Sequence, residues 1–153
     1  MNATVTWKKG MAFEAVANSG KAIMLDSNSN PEERQGPSPM ELILMGLAGC
    51  TAMDVVSIME KKKQVMTAFE VKVHADRSEE YPKPYTRAEL EYAATGHALD
   101  EAALRRAIEL SVQKYCPVHH MLSKAFPIST RYSIYEEGEA GRKLLVEGTY
   151  EAG

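Results

Sequence analysis

Over most of this chain the apolar residues recur at every second position or at helical spacing; between Leu42 and Met53 no charge interrupts them at all. A run of that kind reads as a helix that is apolar on every face, and such a helix must be buried on every face. Its start is marked by Ser38-Pro39-Met40-Glu41. Ser38 serves as a cap, Pro39 suits the first helical position, and Glu41 completes a capping box three residues after Ser38. The helix is predicted over 38–62. Its uncharged run is shorter than the about 20 apolar residues of a membrane span, so it reads as a core helix.

Upstream, residues 4–7, 12–17 and 21–26 have alternating or β-leaning character. The pairs Lys9-Gly10 and Ser19-Gly20 between them read as turns, so a three-stranded antiparallel meander is predicted. Residues 27–35 form a polar loop long enough to be functional or mobile. Downstream, 68–75 and 86–94 alternate and make a hairpin whose connection is stiffened by Tyr81-Pro82-Lys83-Pro84. Asp100 caps a second helix over 101–115, with Leu104, Ala107, Ile108, Ser111, Val112 and Tyr115 on its inner face. Cys116-Pro117 either ends that helix or restarts it, and 118–125 reads as one or two helical turns. A last long strand over 127–135 and a turn at 138–141 follow, then a weak edge strand or frayed tail over 144–150. The order is β-β-β-α-β-β-α-β, an α+β fold in one domain over 1–153. A buried helix about 37 Å long at 1.5 Å per residue cannot be covered by one sheet. A second copy of the chain is the simplest cover, so a homodimer with two such helices near its centre is expected. Gly46, Ala48 and Gly49 would let a neighbouring backbone approach Cys50.

A net charge of −3 without a basic stripe argues against nucleic acid; Lys61-Lys62-Lys63 suits a helix C-terminus. The first ten residues lack the apolar core of a signal peptide, so the expected compartment is the cytoplasm, with no membrane partner. Two cysteines in that setting read as free thiols or redox partners before they read as a staple. Nine methionines, several near Cys50, read first as core filler.

Cys50 and Cys116 are too far apart in sequence for a C-x-x-C motif. The chemistry open to them is that of a peroxide-reducing thiolate with a resolving partner. The first becomes a sulfenic acid, the second condenses with it to a disulfide, and an outside reductant restores both. The bland alternative is two buried small hydrophobes. Local physics does not choose the attacking thiol. Cys50 is mid-helix and gains little from the dipole, and Cys116 closes one helix but caps another if Pro117 begins it. His119 and His120 follow Cys116, but a structural zinc site wants four ligands and only three can be named. No metal is expected, and the pair reads as part of a surface turn.

Gly36-Pro37-Ser38-Pro39-Met40-Glu41-Leu42 leading to Ala48-Gly49-Cys50, together with Tyr115-Cys116-Pro117-Val118, resembles the OsmC/Ohr family of thiol peroxidases. The resemblance implies an intertwined homodimer, with central helices wrapped by two mixed sheets and active sites at the subunit interface. It implies reduction of organic hydroperoxides in stress defence, with Cys50 attacking and Cys116 resolving. No bound cofactor is implied; the implied reductant is an external dithiol, a dihydrolipoyl group on a lipoylated partner protein. Family peroxidases carry a glutamate ten residues before the attacking cysteine and an arginine in the N-terminal strands. Here Met40 stands at the first position. Glu41, one residue on, falls on the opposite helical face from Cys50 and about 13 Å along the axis. No arginine precedes Arg34, so the candidate supporting groups are Glu41, Lys9 and Arg34, with Glu41 also read as a plain capping residue. Met40, Leu44, Leu47 and Met53 would give apolar walls suited to an alkyl or aryl peroxide. Met40 also motivates the alternative of a non-catalytic dimer that binds a small hydrophobic ligand at its interface.

Overall fold

The computed structural model describes residues 1–150. The chain divides into two compact units, Met1–Met45 and the part from Gly46 onward.

In the first unit, β1 (Ala3–Lys9), β2 (Ala12–Ala17) and β3 (Ala22–Asp26) form an antiparallel meander in chain order. The chain reverses at the two predicted turns, where Gly10 and Gly20 adopt φ of 57° and 72°, a region open to a residue without a β-carbon. This sheet is wholly antiparallel rather than mixed, because turns this short join only antiparallel neighbours. The loop over 27–35 holds a 3₁₀ turn at Pro31–Glu33 and is organised by the buried Asp26. The carboxylate of Asp26 accepts the Asn28 amide at 2.8 Å and the Gln35 amide at 3.2 Å. The capping box forms in both directions. The Ser38 amide donates to Glu41 Oε2 at 2.7 Å, and the Glu41 amide donates to Ser38 Oγ at 3.3 Å.

Helix α1 spans Pro39–Lys61. At 23 residues it is long and apolar enough, by length and composition alone, to cross a bilayer, so the expectation that it is too short does not hold; core helices pass the same test. Burial on every face is not what the chain achieves by itself. Leu47, Thr51, Val55 and Met59, four residues apart, make one fully buried stripe, while Met53 on another face is 75% exposed.

The second unit carries a four-stranded sheet of β4 (Val65–Arg77), β5 (Tyr85–His97), β6 (Ile128–Gly138) and β7 (Gly141–Tyr150), in that order. The β4–β5 hairpin is antiparallel as predicted, and so is β6–β7, but β5 and β6 run parallel. A parallel pair needs a crossover. Here it is made of α2 (Glu101–Leu110), a π turn (Ser111–Tyr115) and α3 (Pro117–Leu122). The Asp100 side chain caps α2 by accepting the Ala102 amide at 3.0 Å. The buried stripe of α1 meets Leu90 and Tyr92 of β5, Leu104 and Ile108 of α2, and Ile134 of β6 in one core. β7 is a full ten-residue strand, not a frayed tail. Most of its side chains are exposed, which hid it, but Val146 and Tyr150 pack on the core and its backbone pairs along β6.

Candidate functional site

The second helix is not continuous to Tyr115. At Ser111 the backbone widens into a π turn, closed by the Cys116 amide donating to the Ser111 carbonyl at 2.9 Å. Such turns interrupt an α-helix locally and frequently mark functional sites. The change of pitch rotates Tyr115 outward to 48% exposure, against the inward position predicted for it, and turns Cys116 inward to 2%. Pro117 then begins α3, so Cys116 restarts a helix and caps it. Its Sγ accepts the His119 amide at 3.3 Å.

Cys50 sits half-buried midway along α1. The two thiols are close enough for Cys50 to act on the ionisation of Cys116. Burial and then the neighbouring Cys50 push the Cys116 thiol up to about 12, against a smaller opposing effect of the His119 amide. Desolvation disfavours a thiolate, and a neighbouring thiol that favours the protonated form acts in the same direction.

Beside the thiols runs a buried chain of hydroxyl groups. Tyr92 Oη lies 2.6 Å from Thr51 Oγ1, which lies 2.9 Å from Ser111 Oγ, and Ser111 Oγ donates to Asp54 Oδ2 at 2.9 Å. An ionised carboxylate only accepts, and each hydroxyl has one proton to give. Ser111 donates to Asp54, so Thr51 donates to Ser111 and Tyr92 donates to Thr51. Burial holds the Tyr92 phenol well above the ordinary tyrosine range, with the charge of Asp54 among the lesser contributors. Asp54 also lines an open cavity of about 540 Å³ with Ser57, Ile58, Lys61, Leu110 and Tyr115.

Of the predicted site residues, the chain itself brings Cys50 and Cys116 together. Glu41 is engaged by Ser38, whose side-chain and backbone hydrogen bonds hold its carboxyl below the usual carboxylate range. Arg34 donates from Nε to the Asn28 carbonyl at 2.8 Å, and Lys9 ends β1 on an exposed position opposite Ala12. Leu47 is fully buried in the core and so forms no accessible wall. His119 does not belong to a surface turn: it is buried, and only His120 is exposed. Burial pulls the His119 imidazole below its ordinary range, with the Val112 backbone acting in the opposite direction, and Nδ1 has no partner. Thr51, Asp54, Tyr92 and Ser111 were not anticipated as site residues. The available signal was Asp54, the one charge to break the apolar run of α1, four residues after Cys50 and so on the same helical face.

Residues 31–131 match the family of OsmC-like proteins. Over 134 residues the chain is 42% identical to Protein YhfA of Escherichia coli K12, covering 88% of this chain and 98% of that protein. A crystal structure of a hypothetical protein from Aquifex aeolicus superposes with a TM-score of 0.79 at 26% identity, over 90% of this chain and 97% of that one. The fold is also that of the organic hydroperoxide resistance protein OsmC of Legionella pneumophila, with a TM-score of 0.62 at 14% identity, over 87% and 94% of the two chains. With the matched region spanning the capping box, Cys50 and Cys116, the chain belongs to the OsmC-like family.

Proposed function

We propose that this protein is a thiol peroxidase that reduces organic hydroperoxides through Cys50 and Cys116, in the cytoplasm and as part of stress defence. The observation that carries this reading is the proximity of the two thiols, which lets Cys50 act on the ionisation of Cys116. Cys116 is buried and held protonated, which leaves the half-buried Cys50 as the attacking group. The Cys50 thiolate attacks one oxygen of the peroxide. The O–O bond breaks, the alcohol departs with a proton from the medium, and Cys50 becomes a sulfenic acid. The Cys116 sulfur then attacks the Cys50 sulfur, an S–S bond forms, and hydroxide leaves as water with the Cys116 proton. An external dithiol of the dihydrolipoyl kind returns two electrons and two protons. The name of the Legionella relative, an organic hydroperoxide resistance protein, supports this substrate class.

In the same proposal the chain works as a homodimer whose α1 helices cover one another. The exposed Met53 supports this, as does the open space around Gly46 and Gly49: outside the helix itself, no described atom lies within 4 Å of where a β-carbon would stand at either. Glu41, Lys9 and Arg34 are the proposed supporting groups. The deciding experiment follows consumption of cumene hydroperoxide with a dithiol reductant, comparing the protein with Cys50→Ser. Loss of turnover is expected, and equal rates would remove the proposal. Met40, standing where family peroxidases carry glutamate, favours one other reading, a dimer that binds a hydrophobic ligand without turnover. Mass spectrometry after a mild peroxide dose separates the two: a Cys50–Cys116 disulfide supports the enzyme, unmodified thiols the binder.

A further inference from the structure

Ser111 occupies an unusual place. Its carbonyl accepts the Cys116 amide at 2.9 Å, while its hydroxyl donates to Asp54 at 2.9 Å and accepts from Thr51 at 2.9 Å. Thr51 and Asp54 are the residues one and four places after Cys50 on α1. One serine therefore ties the turn that carries the second thiol to the helix that carries the first, using its hydroxyl both as donor and as acceptor to do so. Both hydroxyls are fully buried, so neither can exchange these partners for water.

We infer that Ser111, through Asp54 and Thr51, is a positioning residue of the dithiol centre, fixing Cys116 at the distance and direction from Cys50 that disulfide closure requires. A disulfide tolerates only a narrow range of α-carbon separations and dihedral angles, and groups already held near that geometry lose less freedom on closing. The clamp consists of one bond to a carboxylate and one to a hydroxyl. The first is of the stronger, charge-assisted kind. Asp54 is the outer end of the clamp, at the edge of the open cavity, and Tyr92 the buried end.

The inference draws its biological use from the peroxidase reading, but its test involves no peroxide. The protein is equilibrated with mixtures of reduced and oxidised dithiothreitol, and the Cys50–Cys116 disulfide is quantified by acid quench and mass spectrometry. In this exchange the two cysteines give two electrons and two protons to oxidised dithiothreitol, whose S–S bond breaks as theirs forms. Ser111→Ala is expected to lower the equilibrium constant for closure about tenfold or more, the scale of losing a hydrogen bond to a charged group. Ser111→Thr, which keeps the hydroxyl, is expected to restore it. Asp54→Asn, which keeps an acceptor for Ser111, is expected to stay nearer the parent than Asp54→Ala. Thermal unfolding of each variant is followed in parallel. A purely structural role would move the melting temperature and leave the exchange equilibrium where it was, and that result would overturn the inference. An unchanged equilibrium in Asp54→Ala would do the same should Ser111→Ala fail to fold. A failure of peroxide turnover with the equilibrium shifted as stated would sink the peroxidase reading and leave the clamp standing.

Discussion

The phenol of Tyr132 stands over Gly148, its cross-strand partner in the β6–β7 ladder, and donates to Glu101 Oε1 of α2 at 2.6 Å. A β-carbon at position 148 would fall on the phenol carbon and oxygen of that ring, inside van der Waals contact. The ring is buried and tied at its far end, so it cannot swing aside. The glycine is thus what lets a strand and a helix be joined through a tyrosine.

Gly148→Ala is therefore expected to destabilise the protein by about 1–3 kcal/mol, the usual cost of overpacking a filled site. Urea denaturation measures it. Combining it with Tyr132→Leu, which clears the space, is expected to give a loss smaller than the sum of the two single losses.

Alkylation should distinguish the thiols. With Cys116 pushed up to about 12, about one molecule in ten thousand carries that thiolate at pH 8, and burial adds a steric barrier. Brief treatment of the native protein with iodoacetamide at pH 8 is expected to label Cys50 and spare Cys116. Peptide mapping checks this, and labelling of both at similar rates would contradict the burial argument.

The same raised thiol makes a statement about alkaline stability. The native chain holds the Cys116 proton more tightly than the unfolded chain does, so the stabilisation is fully present below the unfolded value near 9 and is lost as pH rises through the native value near 12. Urea midpoints are expected to fall from pH 9 upward, and to fall less steeply in Cys116→Ala.

His119 acts on the acid side with the opposite sign. Burial, partly offset by the effect of the Val112 backbone, lowers its native value below 6.5. The unfolded chain takes up the proton first as pH falls, so stability is complete above 6.5 and is lost as pH falls through the lowered native value. His119→Gln is expected to flatten the urea midpoint over that range, at some cost in stability at every pH.

Much of this architecture could be read from residue order alone. β2 begins and ends where alternation placed it, α1 lies within a residue of its predicted limits at each end, and the Ser38–Glu41 box and the Asp100 cap form as expected. These are local effects, decided by side chains within a turn of one another. The parallel pairing of β5 with β6 was not legible, because strand direction is set by the crossover and not by the strands. Nor was the π turn, since Ser111 and Tyr115 keep helical spacing in the sequence whichever pitch the backbone takes. The two cysteines could be named as chemistry, but the resemblance, not their spacing, paired them. The hydroxyl chain went unseen because Thr51, Ser111 and Tyr92 each look unremarkable until three separate elements bring them together.

The π turn before Cys116 holds one residue more than an ordinary helical turn would. Deleting any one residue between Leu110 and Tyr115 would let the backbone relax to normal pitch and re-aim everything after it. The β5–β6 ladder would survive, because it is held by pairings outside the bridge, but the inward-facing sulfur would be lost. A lineage carrying that deletion would inherit the same scaffold with a solitary thiol, able to be oxidised and unable to close on itself.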